Sequence, residues 1–88
     1  MIEKELEVLN RAGLHTRPAA SLVKLTSRYK SDVFLVKDGF EINAKSIIGV
    51  MTLTAEQGAK LIAKIDGEDE AEAMAALAEL FNNKFGEE

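Results

Sequence analysis

Gly13-Leu14-His15-Thr16-Arg17-Pro18-Ala19-Ala20 is the stretch in which this 88-residue chain turns from a loop into a helix. Gly13 can take the positive φ of a turn, and Pro18 is favoured in a first helical turn. An apolar stripe then follows at helical spacing, formed by Ala19, Leu22, Val23 and Thr26. Because the only histidine of the chain stands where this helix begins, we expect His15 at or beside the N-cap.

The start of a helix suits a bound anion, because unpaired backbone N–H groups and the positive end of the helix macrodipole lie there. Arg17 carries a planar guanidinium that can give two directed hydrogen bonds to phosphate oxygens, which a lysine cannot. A lone histidine in a small domain is more often an ordinary polar residue. The glycine before His15 and the arginine and proline after it favour a phosphoryl site instead.

These residues resemble the active-site segment of the HPr family, the histidine-containing phosphocarriers of the bacterial phosphoenolpyruvate-dependent phosphotransferase system. A second segment, Asn43-Ala44-Lys45-Ser46-Ile47-Ile48-Gly49-Val50-Met51, resembles the regulatory-serine segment of the same family. The resemblance covers essentially the whole chain, so residues 1–88 are expected to form a single HPr domain.

The resemblance implies that His15 accepts a phosphoryl group on Nδ1 from enzyme I and passes it to an enzyme IIA domain. Arg17 would stabilise the phosphate, the backbone N–H of Thr16 would donate to it, and Pro18 would fix the start of the helix. The protein would be a stoichiometric carrier and not an enzyme that turns over. At position 12, where relatives often carry serine or asparagine, Ala12 removes one side chain able to contact the phosphate.

Ser46 has two interpretations. Serine before a short helix is a favoured N-cap, worth about 1 kcal/mol. The resemblance implies that an HPr kinase/phosphorylase could also phosphorylate it, which would weaken transfer from enzyme I and promote carbon catabolite regulation. The apolar residues that follow are individually typical of a core. The resemblance instead implies an exposed patch beside His15 that partners share, with Ile47, Ile48 and Met51 ringed by Arg17, Lys24 and Lys45.

Periodicity predicts the element order β-α-β-β-α-β-α. The predicted strands are residues 2–9, 32–37, 40–42 and 59–65, and the predicted later helices are residues 46–53 and 68–85. Asp38-Gly39 favours a hairpin with a type I′ turn. The last helix has Gly86 as its expected C-cap and a stripe that we interpret as core: Met74, Leu77, Ala78, Phe81 and Phe85.

This order suits an α+β fold with helices packed on one face of an antiparallel sheet. Pairing of the strands cannot be obtained from these patterns. The resemblance implies an open-faced β-sandwich whose four-stranded sheet has the order 1-4-2-3 and carries three helices on one face.

Composition excludes several classes of site. The chain has no cysteine and one histidine, so we expect no disulfide, no cysteine-based zinc site and no metal or other cofactor. The N-terminus lacks the apolar run of a signal peptide and no stretch approaches the roughly 20 apolar residues of a membrane span. We therefore expect a cytoplasmic monomer that does not bind membranes.

The charge of the chain points to acidic protein partners. The net charge is −4, yet residues 9–31 contain five basic residues and no acidic one. Such a neighbourhood would steer acidic proteins towards His15. Nucleic acid is not expected as a partner, because the overall charge is negative.

Three other functions are alternatives to a carrier. A catabolite-regulatory paralogue would lack the histidine, and an acylphosphatase-like enzyme would need a glycine-rich phosphate loop that is absent from this sequence. An HPr-like module that acts in nitrogen or carbon control through non-covalent contacts stays open. Covalent modification of His15 would distinguish it from a carrier.

Overall fold

The computed structural model describes residues 1–87. Its strands are β1 (Ile2–Glu7), β2 (Asp32–Lys37), β3 (Phe40–Asn43) and β4 (Lys60–Asp66). Its helices are α1 (Thr16–Thr26), α2 (Ile47–Thr52) and α3 (Glu70–Asn82), and a short turn at Lys84–Gly86 follows α3. The predicted element order β-α-β-β-α-β-α is confirmed.

The four strands form one antiparallel sheet in the order β1-β4-β2-β3. Side chains on a strand point alternately to the two faces of a sheet. In β4 the buried set is Leu61, Ala63 and Ile65, all with no exposed surface. The three helices cover this apolar face, which confirms the α+β fold and the 1-4-2-3 strand order. In the part of the chain that the structure describes, no helix is long and apolar enough to cross a membrane.

The hairpin between β2 and β3 has the predicted turn. Asp38 and Gly39 both have positive φ, 52° and 81°. A type I′ turn requires this pair of conformations, and its twist matches that of the two flanking strands. The hairpin therefore follows from two adjacent residues of the sequence.

The stripe predicted for the last helix is buried as expected. The exposed fraction is below a tenth for each of its members: Met74, Leu77, Ala78, Phe81 and Phe85. The rings of Phe81 and Phe85 lie with centroids 4.8 Å apart at an interplanar angle of 59°. These side chains are part of the core, as interpreted from the sequence.

The predicted bounds of β1 and of the last helix are wrong. The strand β1 ends at Glu7 and not at residue 9, although the Val8 N–H still donates to the Ala59 carbonyl at 2.9 Å. The helix α3 covers Glu70–Asn82 instead of residues 68–85, and its C-cap is Asn83 instead of Gly86. The physical reason is that Lys84 and Phe85 have φ of 57° and 55°, a left-handed conformation that a right-handed helix cannot continue. The chain turns back, and Phe85 packs on Phe81.

Asp69 ties the start of α3 to the loop before β2. Its carboxylate accepts the backbone N–H groups of Lys30 and Ser31, both at 2.9 Å, and the Ser31 hydroxyl. These hydrogen bonds lower the pKa of the Asp69 carboxyl to about 2. The bond from the Ser31 hydroxyl contributes most, and the bond from the Lys30 N–H contributes next. The carboxylate is thus stabilised in the folded state.

This pKa predicts how the stability of the protein responds to acid. A carboxyl whose pKa is lower in the folded state stabilises fully above its ordinary pKa, and the contribution is lost as pH falls through the folded value. We expect Asp69→Asn to be less stable than the natural chain at pH 7, with the difference narrowing between about pH 4 and pH 2. Urea unfolding across this range measures it, with Asp38→Asn at the exposed hairpin as control. A difference that does not depend on pH would contradict the prediction.

Candidate functional site

A tight turn at residues 10–13 positions the loop that precedes α1. The Gly13 N–H donates to the Asn10 carbonyl at 3.2 Å, and Asn10 Nδ2 donates back to the Gly13 carbonyl at 2.8 Å. Gly13 has the predicted positive φ, 77°, and a Cβ placed on it would lie 2.5 Å from the Ala55 carbonyl oxygen. The Leu14 N–H donates to that same oxygen at 2.9 Å. The turn therefore packs closely against the loop before β4.

His15 is the N-cap of α1, as the sequence predicts. Its backbone is extended, with φ −91° and ψ −163°, and its carbonyl accepts the Ala19 N–H at 2.9 Å. The imidazole makes no capping bond and its side chain is 47% exposed. The N–H groups of Thr16 and Arg17 lie in the first helical turn, where no intrahelical acceptor exists. A half-exposed imidazole thus stands beside unpaired backbone donors, and Pro18 is buried behind it.

An open cleft surrounds the imidazole. It is lined by Arg11, Ala12, His15, Arg17, Gly86 and Glu87. Both arginines are exposed, and neither guanidinium makes a salt bridge within residues 1–87. Two uncompensated guanidiniums beside a helix N-terminus give a setting that favours a phosphoryl group. Arg17 lies where the sequence places it, and Arg11 joins it in the same cleft.

Two residues at this site escape sequence reasoning. Glu87 Oε1 lies 3.6 Å from His15 Nε2, and Asn10 Nδ2 donates to the same Oε1 at 3.2 Å. For Asn10 the sequence contains a weak turn signal, because an asparagine follows an alternating strand and precedes a glycine by three residues. Glu87 leaves none, because the left-handed turn after α3 brings it to the cleft from the far end of the chain.

Ser46 is the N-cap of α2. Its Oγ accepts the Gly49 N–H at 3.1 Å, and its backbone is extended. The capping interpretation of this residue is confirmed. Its hydroxyl is half-buried at the start of a six-residue helix.

The α2 patch, which we define as Ile47, Ile48 and Met51, is exposed. The exposed fractions are 43%, 77% and 40% in that order. The helix α2 packs against α1, the helix that His15 begins. These three side chains are therefore not core residues, and they leave an apolar surface on this side of the molecule.

The basic residues expected around the α2 patch behave differently from one another. Lys24 is exposed on α1. Lys45 is half-buried, and its Nζ donates to the Tyr29 carbonyl at 2.8 Å. Its ammonium therefore helps to hold the turn that follows α1. In residues 1–87 no group of three or more potential metal-ligating side chains lies together.

Comparison with known proteins supports the family that these features indicate. Residues 2–83 match the sequence model of the family described as the PTS HPr component phosphorylation site. The phosphocarrier protein HPr of Xylella fastidiosa (strain Temecula1) is 52% identical over 88 residues, which is 100% of this chain and 99% of that protein.

Two solved structures extend the comparison. The crystal structure of HPr-C-His from Thermoanaerobacter tengcongensis superposes with a TM-score of 0.96 at 44% identity, covering 100% of this chain and 99% of that one. The Bacillus subtilis catabolite repression protein Crh, a dimer with a swapped domain, has a TM-score of 0.77 at 43% identity, with 96% and 97% covered. With the His15 cleft at the start of α1 and the 1-4-2-3 sheet behind it, the chain belongs to the HPr family of phosphocarrier proteins.

Proposed function

We propose that His15 accepts a phosphoryl group from phosphorylated enzyme I and passes it to a histidine of an enzyme IIA domain. The observation that carries this proposal is a half-exposed imidazole at a helix N-cap, in a cleft with two guanidiniums that make no salt bridge within residues 1–87. Phosphoryl transfer depends mostly on positioning and on charge stabilisation. A carrier therefore needs little beyond the groups already present in this cleft.

Each group has a defined role in this proposal. A neutral imidazole nitrogen, Nδ1, attacks phosphorus. The backbone N–H groups of Thr16 and Arg17 and the guanidinium of Arg17 donate to the phosphoryl oxygens. Pro18 has no N–H to donate and instead keeps the first turn in helical geometry. The protein thus carries one phosphoryl group per chain between two protein partners.

The experiment that tests this function is intact mass spectrometry of the natural chain and of His15→Ala. Both are incubated with phosphoenolpyruvate, magnesium and purified enzyme I, with a known HPr as positive control. We expect one acid-labile phosphoryl group on the natural chain and none on His15→Ala. Absence of modification, while the control HPr is labelled, would favour the non-covalent regulatory module.

We propose a second, regulatory function for Ser46 as a target of an HPr kinase/phosphorylase. The likeness to Crh, a catabolite repression protein, supports a link to carbon catabolite regulation. The N-cap position of Ser46 supports modification without unfolding, since a helix N-terminus tolerates added negative charge. Treatment with a purified kinase should produce an acid-stable phosphate on the natural chain and none on Ser46→Ala.

The proposed partners dock on the α2 patch. Its exposed apolar side chains and the basic residues of α1 fit acidic proteins that must release after each transfer. The proposal places the protein in the cytoplasm with these partners. We also propose that the chain acts as a monomer, although the Crh structure is a dimer with a swapped domain. Sedimentation of the natural chain in the transfer buffer checks this point.

Negative charge added at α2 should slow transfer from enzyme I. We expect Ser46→Asp and Ile48→Glu each to lower the transfer rate by about tenfold, because the charge repels an acidic partner and, for Ile48, disrupts apolar contact. The measurement is the initial rate of phosphorylation at limiting enzyme I. Phe40→Glu is the matched control, since Phe40 is 54% exposed at the hairpin. Equal rates for all three variants would count against this surface.

A further inference from the structure

The three side chains of Asn10, Glu87 and His15 form a connected set in the cleft. Asn10 is fully buried and donates from Nδ2 to the Glu87 carboxylate at 3.2 Å. The same carboxylate oxygen lies 3.6 Å from His15 Nε2. The side chain of Glu87 is only 16% exposed, although it lies at the end of the described chain. A carboxylate this well covered, held by a buried amide, has a defined position beside the imidazole.

Asn10 is well suited to hold this carboxylate. Its Nδ2 uses both of its donor hydrogens, one to Glu87 and one to the Gly13 carbonyl at 2.8 Å. Its Oδ1 is buried and has no hydrogen-bond partner among the described residues. An unsatisfied buried oxygen of this kind costs stability. Asn10 is therefore a buried residue whose amide nitrogen holds both the Gly13 turn and the Glu87 carboxylate in place.

The position of Glu87 distinguishes the two nitrogens of the imidazole. A carboxylate only accepts hydrogen bonds, so beside Nε2 it favours the tautomer that carries its proton there. The lone pair is then left on Nδ1. The 3.6 Å separation is an ion-pair distance and longer than a direct hydrogen bond, and such contacts often shorten when the reacting complex forms.

We propose that Glu87, held by Asn10, is a positioning residue that keeps the His15 proton on Nε2 and leaves Nδ1 as the nucleophile. This inference rests on the proposed phosphoryl transfer through His15. It adds to the site two residues from opposite ends of the chain. The same logic operates wherever the second nitrogen of a functional histidine meets a carboxylate.

The transfer step balances with this arrangement. The Nδ1 lone pair forms the new nitrogen–phosphorus bond, the donor's bond to phosphorus breaks, and its electron pair leaves with the donor atom. No proton leaves His15, so Nε2 keeps its hydrogen and the ring gains positive charge. Glu87 faces that charge and stabilises it. Transfer to the next partner reverses these changes.

The negative charge of Glu87 does not prevent a phosphoryl group from binding. Its carboxylate lies beside Nε2 and not beside Nδ1, and the cleft contains more positive than negative side chains. Arg11 and Arg17 line the same cleft with no salt bridge among the residues that the structure describes. Their two positive charges exceed the single charge of Glu87. The cleft therefore still attracts a dianionic group.

Two measurements on Glu87→Ala test the inference, with Glu72→Ala as the matched control on the exposed face of α3. The first is the imidazole ¹⁵N spectrum at alkaline pH, which reports the tautomer without any partner. The second is the initial rate of phosphorylation by enzyme I. We expect a smaller share of the Nε2–H tautomer and a rate lower by about tenfold for Glu87→Ala, with both unchanged for Glu72→Ala. Glu87→Gln, which keeps an acceptor oxygen, should lose less.

The outcomes separate this inference from the proposed function. An unchanged tautomer in Glu87→Ala would overturn the positioning role, whatever the rate. If the rate fell without a change of tautomer, Glu87 would instead contribute to the contact with enzyme I. An unchanged rate would overturn it as well. Absence of phosphorylation in the natural chain would reject the proposed function, while the tautomer measurement would still decide whether Glu87 orders the imidazole.

Discussion

Phe81→Ala is expected to lower the free energy of unfolding by about 3–5 kcal/mol. Phe81 is 1% exposed, belongs to the buried stripe of α3 and contacts the Phe85 ring at a tilted angle. Its removal loses the burial of a large apolar ring and leaves a cavity that the surrounding helices and sheet cannot fully close. For a domain of this size the total free energy of unfolding is about 5–10 kcal/mol, so much of the stability would be lost.

The measurement is urea unfolding followed by circular dichroism. Phe40→Ala is the matched control, because the same atoms are removed from a ring that is 54% exposed at the hairpin. We expect a change of less than about 1 kcal/mol there. Equal losses for the two variants would show that burial does not set the cost.

Gly13→Ala is the second substitution with a large expected effect. The residue has φ 77°, and its new Cβ would lie 2.5 Å from the Ala55 carbonyl oxygen and 3.0 Å from the Glu56 Cα. The left-handed conformation alone costs an alanine about 1–2 kcal/mol. The clash is with backbone atoms, which cannot turn away as a side chain can, and adds about 1–3 kcal/mol. The loop must then move, and the Leu14 hydrogen bond to Ala55 would be strained.

Gly58→Ala separates the two costs. Gly58 has φ 90°, and a Cβ there would meet nothing within 4 Å. Only the conformational cost should appear in its unfolding free energy. Because Gly13 precedes His15 by two residues, we also expect Gly13→Ala to slow phosphorylation by enzyme I, while Gly58→Ala should leave that rate near that of the natural chain. Equal stabilities of the two variants would show that the clash is relieved at no cost.

Local chemistry explains why much of the site can be predicted. Gly13 and Pro18 define a helix start through their own backbone preferences, and the apolar residues that follow have helical spacing. His15 is therefore placed at the N-cap by its neighbours in sequence. Ser46 is placed at the start of α2 in the same way. The hairpin turn at Asp38-Gly39 likewise depends on adjacent residues.

Contacts between distant segments explain what could not be predicted. The end of α3 is one example, because Phe85 continues the apolar stripe in sequence but packs on Phe81 from a left-handed turn. Lys45 is another, because its ammonium donates to the Tyr29 carbonyl in the turn that follows α1. The contact between Asp69 and Ser31 is a third, because it joins the N-cap of α3 to a loop 38 residues away in the chain.

The sequence by itself determined the element order, the apolar faces, the helix start at His15 and the resemblance to one family, because each depends on residues close together in the chain. The tertiary structure alone decided which strands pair, and it brought Glu87 to His15 beside Asn10 across 77 residues. Periodicity shows which face of an element is buried, but not which partner covers it. Packing of the whole core determines which elements contact one another. In this protein the same packing brings Glu87 and Asn10 to His15.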